Sequence, residues 1–388
     1  MIEKITKNKN NLGVPDLQPI DKISEKLEYY RSFFGKIQDL SDDEFEKLRL
    51  DISKFFTLKV GTHTNNPPKR LIRISNNNRI LKSEGKKLSY LTDISQILAP
   101  PIKFCNFGRC NIPNQQVLYC ATSVAGAYWE TRPQNGDVIT ISHFELKPNT
   151  KVNTFIVKKE KSKNPKIKTE LQKVYYLLED FFLDIYSLRV SRNRPRDYLF
   201  SGQISSDQMF YPVVSDLNIE AILYPSVQRK KFGWNFAIRN DLILERYNLI
   251  GVETRFILDE YANLNPESEE VITDQIIGSF GTEAFDFEYG KILYDTEKAN
   301  TAFELFRNLQ TGNGKQIRFE DKGLPKNIMF NCTPTNFNKE KQKLVVNKKY
   351  GRNEKVNVVY QNGTRIDNIK FKKIKADIKN GKCKIVRY

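Results

Sequence analysis

The sequence predicts an α+β protein of several domains, and three observations support this prediction. Segments with helical and with strand-like periodicity are mixed along the chain, without the regular order of a βαβ series. The composition, with 39% hydrophobic and 28% charged residues, is that of a globular protein. The chain has 388 residues. At ~150 residues per domain, we expect two to three domains.

The N-terminal part predicts a helical extension over residues 1–66. Residues 1–18 are polar and are expected to be loose, whereas the pattern becomes helical from Ile20 to Phe56. Ser41 and Glu44 have the spacing of a capping box, in which each side chain bonds the backbone of the other residue. The Asn-Asn-Pro-Pro run at residues 65–68 breaks the helical pattern, so we expect the next domain to begin at residue 67.

Residues 67–255 predict the central domain, with a mixed sheet and several helices. Short runs rich in β-branched and aromatic residues predict strands, and apolar residues spaced by three and four predict helices. The predicted strands are Arg70–Ser75, Gln116–Ala121, Asp137–Leu146, Ala221–Pro225 and Asn235–Arg239. The predicted helices are Ser123–Thr131, Lys168–Leu188 and Ser205–Ser215.

Two further regions are predicted after the central domain. Residues 256–335 predict a helical accessory region, with helices over Pro266–Ile277 and Asp295–Leu309. Residues 336–388 predict a basic tail rich in β-hairpins. Strands at Lys355–Tyr360 and Ile366–Phe371 flank an Asn-Gly turn at 362–363, and Asn-Gly at 380–381 is expected to close a second hairpin.

The charge of the chain is concentrated in this tail. Residues 339–388 contain 16 Lys or Arg and 4 Asp or Glu, which is +12 of the total net charge of +17. A basic segment of this kind attracts nucleic acid or an acidic partner, and it serves equally well as a solubilising surface. The sequence leaves these alternatives open.

Residue usage excludes several classes of function. The five cysteines form no Cys-x-x-Cys pair and the two histidines are not spaced as metal ligands, so no metal site is expected. The scarcity of histidine also argues against a Ser-His-Asp hydrolase. Neither a Walker loop nor a dinucleotide-binding glycine motif is present. The start lacks the apolar stretch of a signal peptide and no run is long enough to span a membrane, so we expect a soluble, cytoplasmic protein.

Residues 105–130 carry the most informative pattern. A glycine-flanked arginine leads into a proline turn, a strand containing a Leu-Tyr pair follows, and a helix of small residues ends in Trp-Glu. A Tyr-Pro-Ser sequence and a Gly-x-Asn sequence come later, each next to a predicted strand. In this order the pieces resemble the RES domain family, over roughly residues 67–250. The pieces are Leu71-Ile-Arg73-Ile, Gly108-Arg109-Cys110-Asn111, Leu118-Tyr119, Glu130, Tyr224-Pro225-Ser226 and Gly233-Trp-Asn235. Cys110 departs from the family pattern, which often has an aromatic residue there.

The resemblance implies a central RES domain whose mixed-sheet core is similar to that of ADP-ribosyltransferase toxins. It implies NAD as the substrate, destroyed by phosphorolysis or hydrolysis, with inorganic phosphate as a co-substrate in the first case. Family members are toxins of toxin–antitoxin pairs, so an Xre-type antitoxin is the implied partner. A homo-oligomer is a further partner expectation, and no metal is needed.

The chemistry of NAD assigns expected roles to the residues that match the family. Cleavage of the nicotinamide–ribose bond develops positive charge, which the carboxylate of Glu130 is suited to stabilise. Arg109 and Arg73 are candidate donors to the pyrophosphate. Tyr119 offers an aromatic face to the cationic nicotinamide. We therefore predict the catalytic residues Arg109, Tyr119, Glu130 and Ser226, and the NAD-binding residues Arg73, Arg109, Tyr119 and Asn235.

Four of these residues also have a purely structural alternative. Arg109 can pair with a surface acid, Glu130 can be an exposed helix end, Tyr119 can belong to the core, and Ser226 can cap a strand. Two other functions remain open as well. One keeps the fold but transfers ADP-ribose to a macromolecule docked by the tail, and the other is a binding protein without enzymatic activity.

Overall fold

A computed structural model describes most residues of the chain. They are residues 19–56, 62–158, 170–211, 218–227, 233–257, 276–311, 329–335, 337, 353, 355–360, 364–379 and 382–386. The predicted loose segment 1–18, the Asn-Gly pairs at 362–363 and 380–381, and most of the predicted helix 266–277 lie outside them.

The described residues form ten α-helices and fifteen strands, together with three short 3-10 turns. The helices are α1 (Ile20–Arg31), α2 (Asp42–Phe55), α3 (Asn77–Ser83), α4 (Ile94–Ile97), α5 (Val124–Thr131), α6 (Glu170–Ser187), α7 (Leu199–Met209), α8 (Ile243–Arg246), α9 (Thr296–Thr311) and α10 (Phe371–Lys379). The strands are β1 (Thr62–Thr64), β2 (Arg70–Asn76), β3 (Val117–Ala121), β4 (Val138–Leu146), β5 (Thr154–Ile156), β6 (Ala221–Pro225), β7 (Trp234–Arg239), β8 (Tyr247–Ile257), β9 (Ile276–Thr282), β10 (Ala284–Asp286), β11 (Lys291–Leu293), β12 (Met329–Asn331), β13 (Lys355–Tyr360), β14 (Arg365–Lys370) and β15 (Cys383–Val386).

These elements form two compact units, each assembled from separate stretches of the chain. Unit one contains Met1–Pro67, Ile102–Gln115 and Val152–Val227. Unit two contains Pro68–Pro101, Gln116–Lys151 and Gln228–Tyr388. Mixed sheets and helices in both units confirm the predicted α+β class. Among the described residues, no helix has the length and apolar character needed to cross a membrane.

Unit one packs the N-terminal helices α1 and α2 against α6 and α7. The predicted capping box is confirmed, because the Ser41 amide donates to Glu44 Oε2 (3.0 Å) and the Glu44 amide donates to Ser41 Oγ (3.4 Å). Aromatic rings fill the core between the helices, with Tyr30 and Phe200 centroids 5.3 Å apart. Strand β5 pairs antiparallel with β1 and parallel with β6.

The predicted helix Ser205–Ser215 is wrong in its boundaries, because α7 runs from Leu199 to Met209. A 3-10 turn at Pro195–Tyr198 leads directly into it. Almost every side chain of α7 is buried, the serines and glutamines included. Such a helix has no alternation of apolar and polar faces, so periodicity in the sequence could not locate its start.

Unit two is built on a sheet with the strand order β7-β3-β2-β4-β8-β9-β12. Neighbouring strands are antiparallel except for β9 and β12, which are parallel. The sequence did not predict β8, although it is the longest strand and pairs with β4 along its whole length. The predicted helix Pro266–Ile277 is wrong at its last two residues, because strand β9 begins at Ile276. Its other residues lie outside the described ranges.

Helices cover the sheet of unit two and set its two main hydrophobic clusters. Helix α5 packs on Ile72, Ile74, Ile139 and Ile141, which all lie on one face of β2 and β4. Helix α9 packs at the end of the sheet formed by β8 and β9. Gly278 allows this contact, because a Cβ at this position would overlap the ring of Phe306 on α9.

The C-terminal residues fold as a small ββαβ arrangement with its own core. Strands β13 and β14 form the predicted hairpin pairing, and β15 adds to the other edge of β13. Helix α10 was not predicted, and it begins at Phe371, where the sequence predicted strand. Because α10 separates β14 from β15, these two strands do not form the second hairpin that was expected. The core consists of Val356, Val358, Ile374 and Cys383.

Candidate active-site residues

Glu130 lies in the last turn of α5, and the structure pairs it with a residue far away in the sequence. Helix α5 starts at the predicted place, where Ser123 Oγ accepts from the Gly126 amide (3.1 Å). It ends at Arg132, which has a positive φ of 47° and whose amide bonds the Tyr128 carbonyl oxygen (2.7 Å). Asn235 Nδ2, on β7, donates to Glu130 Oε1 (2.8 Å). The predicted residues Glu130 and Asn235 are therefore in direct contact.

The surroundings of this pair fit an oriented and accessible carboxylate. Asn235 is 5% exposed, so its amide is held in the sheet, whereas Glu130 itself is exposed. A carboxylate in the last turn of a helix meets the negative end of the helix dipole, which does not favour it there. The Asn235 hydrogen bond offsets part of this unfavourable position and fixes one of the two carboxylate oxygens.

Tyr119 lies on the same face of the sheet as this pair. Ala121 on β3 is opposite Asn235 on β7, and Tyr119 is two residues from Ala121 along the strand. Side chains two residues apart on a strand point to the same face. Tyr119 is half-buried, so part of its ring remains accessible on the face that also carries Asn235.

Arg109 lies in unit one, in a tight turn that presents it to the end of a helix. Gly108 and Asn111 bond each other's backbone, with the Gly108 amide 2.9 Å from the Asn111 carbonyl oxygen. The Asn111 side-chain amide closes the turn by donating to the Asn106 carbonyl oxygen (2.7 Å). Helix α7 approaches this turn closely at Gly202, where a Cβ would lie 2.9 Å from the carbonyl oxygens of Gly108 and Asn111.

The guanidinium of Arg109 caps α6. Its two terminal nitrogens donate to the carbonyl oxygens of Tyr186 and Leu188, at the C-terminal end of α6. Its carbon lies over the rings of Tyr198 (5.2 Å) and Tyr224 (5.9 Å). A cation at a helix C-terminus interacts favourably with the helix dipole. Arg109 therefore has a structural role, and it pairs with helix carbonyls rather than with the surface acid considered as its alternative.

Ser226 follows β6 directly and is 5% exposed. Tyr224, two residues earlier on the same strand, is the ring that lies under Arg109. Within unit one the structure thus brings the Tyr-Pro-Ser sequence close to the Gly-Arg turn. Unit two contains the remaining predicted residues, which are Arg73, Tyr119, Glu130 and Asn235.

The arrangement of these residues agrees with a comparison against protein families. The family description that matches is the RES domain, over residues 92–252. We refer to residues 92–252, which are similar to this domain, as the RES segment. The predicted resemblance is thereby confirmed for this segment, and the comparison with curated proteins finds no match for the chain.

The RES segment includes five of the six predicted site residues and excludes Arg73. The structure also separates Arg73 from Glu130. Because Ile72 and Ile74 face α5, the alternation of strand β2 directs Arg73 to the opposite face of the sheet. Its Nη1 donates to the Tyr119 carbonyl oxygen (3.1 Å), and its Nε is buried without a hydrogen-bond partner. Burial lowers the pKa of this guanidinium below its ordinary value.

Cys110 marks the departure of the RES segment from the family pattern. Its side chain is completely buried, and burial raises the pKa of the thiol to about 12. The thiol contacts Ser205 on α7, and Ser205 Oγ in turn lies 2.6 Å from the Tyr186 hydroxyl. Cys110 therefore replaces an aromatic residue in the interior of unit one, where it helps to pack the Gly-Arg turn on α6 and α7.

A buried polar network, which the sequence did not predict, holds α5 on the sheet. Arg255 on β8 donates to the Tyr128 hydroxyl (3.2 Å), two residues before Glu130. Arg255 also forms a two-point salt bridge with Glu253, through Nε to Oε1 (2.7 Å) and Nη2 to Oε2 (2.8 Å). Burial opposes both charges. The salt bridge nevertheless keeps the pKa of Glu253 below its ordinary value and the pKa of Arg255 above its ordinary value.

The Glu253-x-Arg255 spacing was visible in the sequence, since residues two apart on a strand share a face. This spacing could not be interpreted from the sequence, because strand β8 itself was not predicted. Within the described ranges, no group of three His, Cys, Asp or Glu side chains is placed to hold a metal ion.

Proposed function

We propose that this protein consumes NAD by cleaving the bond between nicotinamide and ribose, with Glu130 as the catalytic carboxylate. The observation that carries the proposal is the 2.8 Å hydrogen bond from Asn235 to Glu130. It joins a helix end and a strand that are separated by 105 positions. Both residues match the RES pattern, and their pairing gives the exposed carboxylate a defined orientation.

The chemistry of the bond explains why such a carboxylate is needed. Departure of nicotinamide leaves positive charge on the ribose ring and its oxygen, and a nearby carboxylate stabilises that charge. Asn235 orients Glu130 through Oε1, and the proposed role of the carboxylate is to contact the ribose hydroxyls or the charged ring. Because the amide of Asn235 is buried, little reorganisation is needed when charge develops.

The remaining residues have proposed roles that follow the family pattern. The half-buried ring of Tyr119, on the same sheet face as Asn235, supplies a surface for the flat nicotinamide cation. Arg109 keeps one N–H on each terminal nitrogen and its Nε–H beyond the two helix carbonyls, so it retains donors for a phosphate oxygen. Ser226 is a further proposed donor to NAD, whereas Arg73 is not proposed as one, because it lies on the opposite face of the sheet from Glu130. The acceptor of ADP-ribose is inorganic phosphate or water, and the biological role is that of a toxin restrained by an Xre-type antitoxin.

NAD consumption by the purified full chain tests the proposal. We expect NAD loss that falls by about 100-fold or more in Glu130→Gln, because the neutral amide does not stabilise the developing charge. Asn235→Ala leaves the carboxylate in place but unoriented, so kcat is expected to fall by about 10-fold with KM little changed. Glu304→Gln is the matched control, since Glu304 is an exposed helical glutamate of unit two.

The products decide between the acceptors. ADP-ribose phosphate formed only in phosphate buffer indicates phosphorolysis, and free ADP-ribose without phosphate indicates hydrolysis. Nicotinamide release with ADP-ribose attached to a macromolecule indicates a transferase. Equal NAD loss in the wild type and in Glu130→Gln, or none in either, contradicts the proposed role of Glu130 and favours a binding protein.

A further inference from the structure

The C-terminal ββαβ arrangement, residues 353–386, has a feature that the NAD chemistry does not use. We refer to its described residues as the C-terminal module. Its helix and strands share one small core, in which Val356 and Val358 of β13 contact Ile374 of α10. The hydroxyl of Tyr360 donates to Asp377 Oδ2 (2.9 Å), which ties the sheet to the helix. The helix and the strands that carry the surface side chains of the module are therefore held together by one core.

Six lysines of the module are exposed, and none of them forms a salt bridge. They are Lys355, Lys370, Lys372, Lys373, Lys375 and Lys382. Elsewhere in the described chain, exposed lysines such as Lys173 and Lys298 bond neighbouring carboxylates at 2.8 and 3.0 Å. In the module, Asp377 is engaged by Tyr360 and does not neutralise any of the six lysines. Among the described residues, no carboxylate forms an ion pair with these six lysines.

The arrangement of the lysines is unfavourable for the isolated protein. Lys355 on β13 lies directly opposite Lys370 on β14 in the antiparallel register. Like charges at such positions destabilise a sheet. Lys372 and Lys375 are three residues apart on α10 and share a helix face, so they repel each other as well. A surface that keeps these repulsions is suited to a partner that supplies negative charge.

The other exposed groups of the module decide which kind of polyanion fits. The apolar residues Phe371, Ile374 and Ile378 of α10 pack toward the module core, so the helix has no apolar face to insert into a membrane. Only Ile366 is a large exposed apolar side chain among the described residues of the module. Protein interfaces are depleted in lysine and rely on aromatic anchors, and single-strand binding relies on aromatic stacking. Exposed lysines on a folded module, whose aromatic residues Tyr360 and Phe371 pack on the core, instead match the regular phosphates of a duplex.

We propose that the C-terminal module binds the phosphate backbone of duplex nucleic acid, independently of sequence, through Lys372, Lys373 and Lys375 on α10 and the Lys355–Lys370 pair. This inference does not depend on the proposed NAD activity. Each phosphate contact contributes about 0.9 to the slope of log affinity against log salt concentration. Five contacts give a slope of about −4 to −5, so binding is strong at low salt and weakens steeply.

Fluorescence anisotropy of a labelled random-sequence duplex with the full chain tests this proposal. We expect K372Q/K373Q/K375Q to reduce the steepness of the salt dependence by about 3 and to weaken binding at low salt by at least about 10-fold. The matched control is K36Q/K82Q/K87Q, which removes the same charge from three exposed lysines outside the module. This control is expected to change affinity by less than about 2-fold, since these three lysines are not among the proposed phosphate contacts.

Four results would overturn the proposal. They are no binding to the duplex at low salt, equal losses in the module variant and its control, tighter binding to an unstructured single strand than to the duplex, and equal or tighter binding to phosphatidylserine vesicles. K355Q/K370Q provides a second variant, with an expected decrease of about 2 in the steepness of the salt dependence. Circular dichroism of each variant separates a loss of binding from a loss of folding.

Discussion

Arg255→Met removes the cation that stabilises a buried carboxylate beneath helix α5. The side chains of Arg255 and Glu253 are 19% and 11% exposed, and two hydrogen bonds of 2.7 and 2.8 Å join them. Breaking one partner of a buried pair costs about 3–5 kcal/mol, because it leaves an uncompensated charge. Since both groups keep some solvent contact, we expect the lower end of this range, about 3 kcal/mol at neutral pH.

The pH dependence of this loss identifies its cause. In the wild type, Arg255 holds the pKa of Glu253 below its ordinary value, so the stabilisation is present above the unfolded pKa. It is lost as the pH falls through the lowered folded pKa. In Arg255→Met, burial without the cation raises the pKa of Glu253 above ~4.3, so protonation on acidification removes the buried charge. The difference in stability is therefore expected to shrink to about 1 kcal/mol near pH 4, where lost hydrogen bonds remain.

Tryptophan fluorescence during urea unfolding reports this effect selectively. Both tryptophans of the chain, Trp129 and Trp234, belong to unit two, and Trp129 packs on the cluster beneath α5. Arg79→Met, at an exposed position of the same unit, is the control and is expected to change stability by less than about 0.5 kcal/mol. A loss of equal size at pH 7 and near pH 4 would refute the argument, since it would show that the cost is packing and not charge.

Further predictions concern packing and helix ends. Gly278→Ala is expected to destabilise unit two by about 2–3 kcal/mol, because the Phe306 ring must move. Gly251→Ala is the control, since its new Cβ meets nothing closer than 3.8 Å. Equal losses of stability for the two variants in urea unfolding would contradict this prediction. Ser41→Ala removes the capping box and is expected to cost about 1 kcal/mol in thermal unfolding, and no change would argue against it. Arg109→Lys removes the planar guanidinium that bonds two helix carbonyl oxygens at once. Amide hydrogen exchange at the end of α6 is therefore expected to accelerate by about 10-fold. Unchanged exchange would contradict the capping role of Arg109.

Local patterns predicted most elements of the fold. The capping box at Ser41, the strand containing Arg73 and the helix ending at Glu130 each depend on a few neighbouring residues, and each was predicted close to its place. Helix α7 was displaced because its polar side chains are buried by tertiary contacts. Helix α10 was missed, and it begins at Phe371, the residue at which the predicted strand ended.

The candidate site was predictable as a set of residues but not as an arrangement. Glu130 and Asn235 were identified separately from the family pattern, and only the folded sheet pairs them. Arg73 was grouped with them, yet strand alternation directs it to the other face. Arg255 carried no signal, because the hydrogen bond to Tyr128 depends on the pairing of β4 with β8, far apart in the sequence.

The discontinuity of unit one has a consequence for how the protein is synthesised. Helices α1 and α2 are synthesised before their aromatic partners on α6 and α7, which follow more than a hundred residues later. Arg194 and Arg196, which bind Asp39 and Asp42, are translated equally late. The apolar faces of α1 and α2 therefore stay uncovered until α6 and α7 have been synthesised. Chaperones recognise exposed apolar surface of this kind. The stretch 92–252 could likewise not be transferred alone into another protein, because the surfaces of α6 and α7 would lack the helices α1 and α2 that cover them.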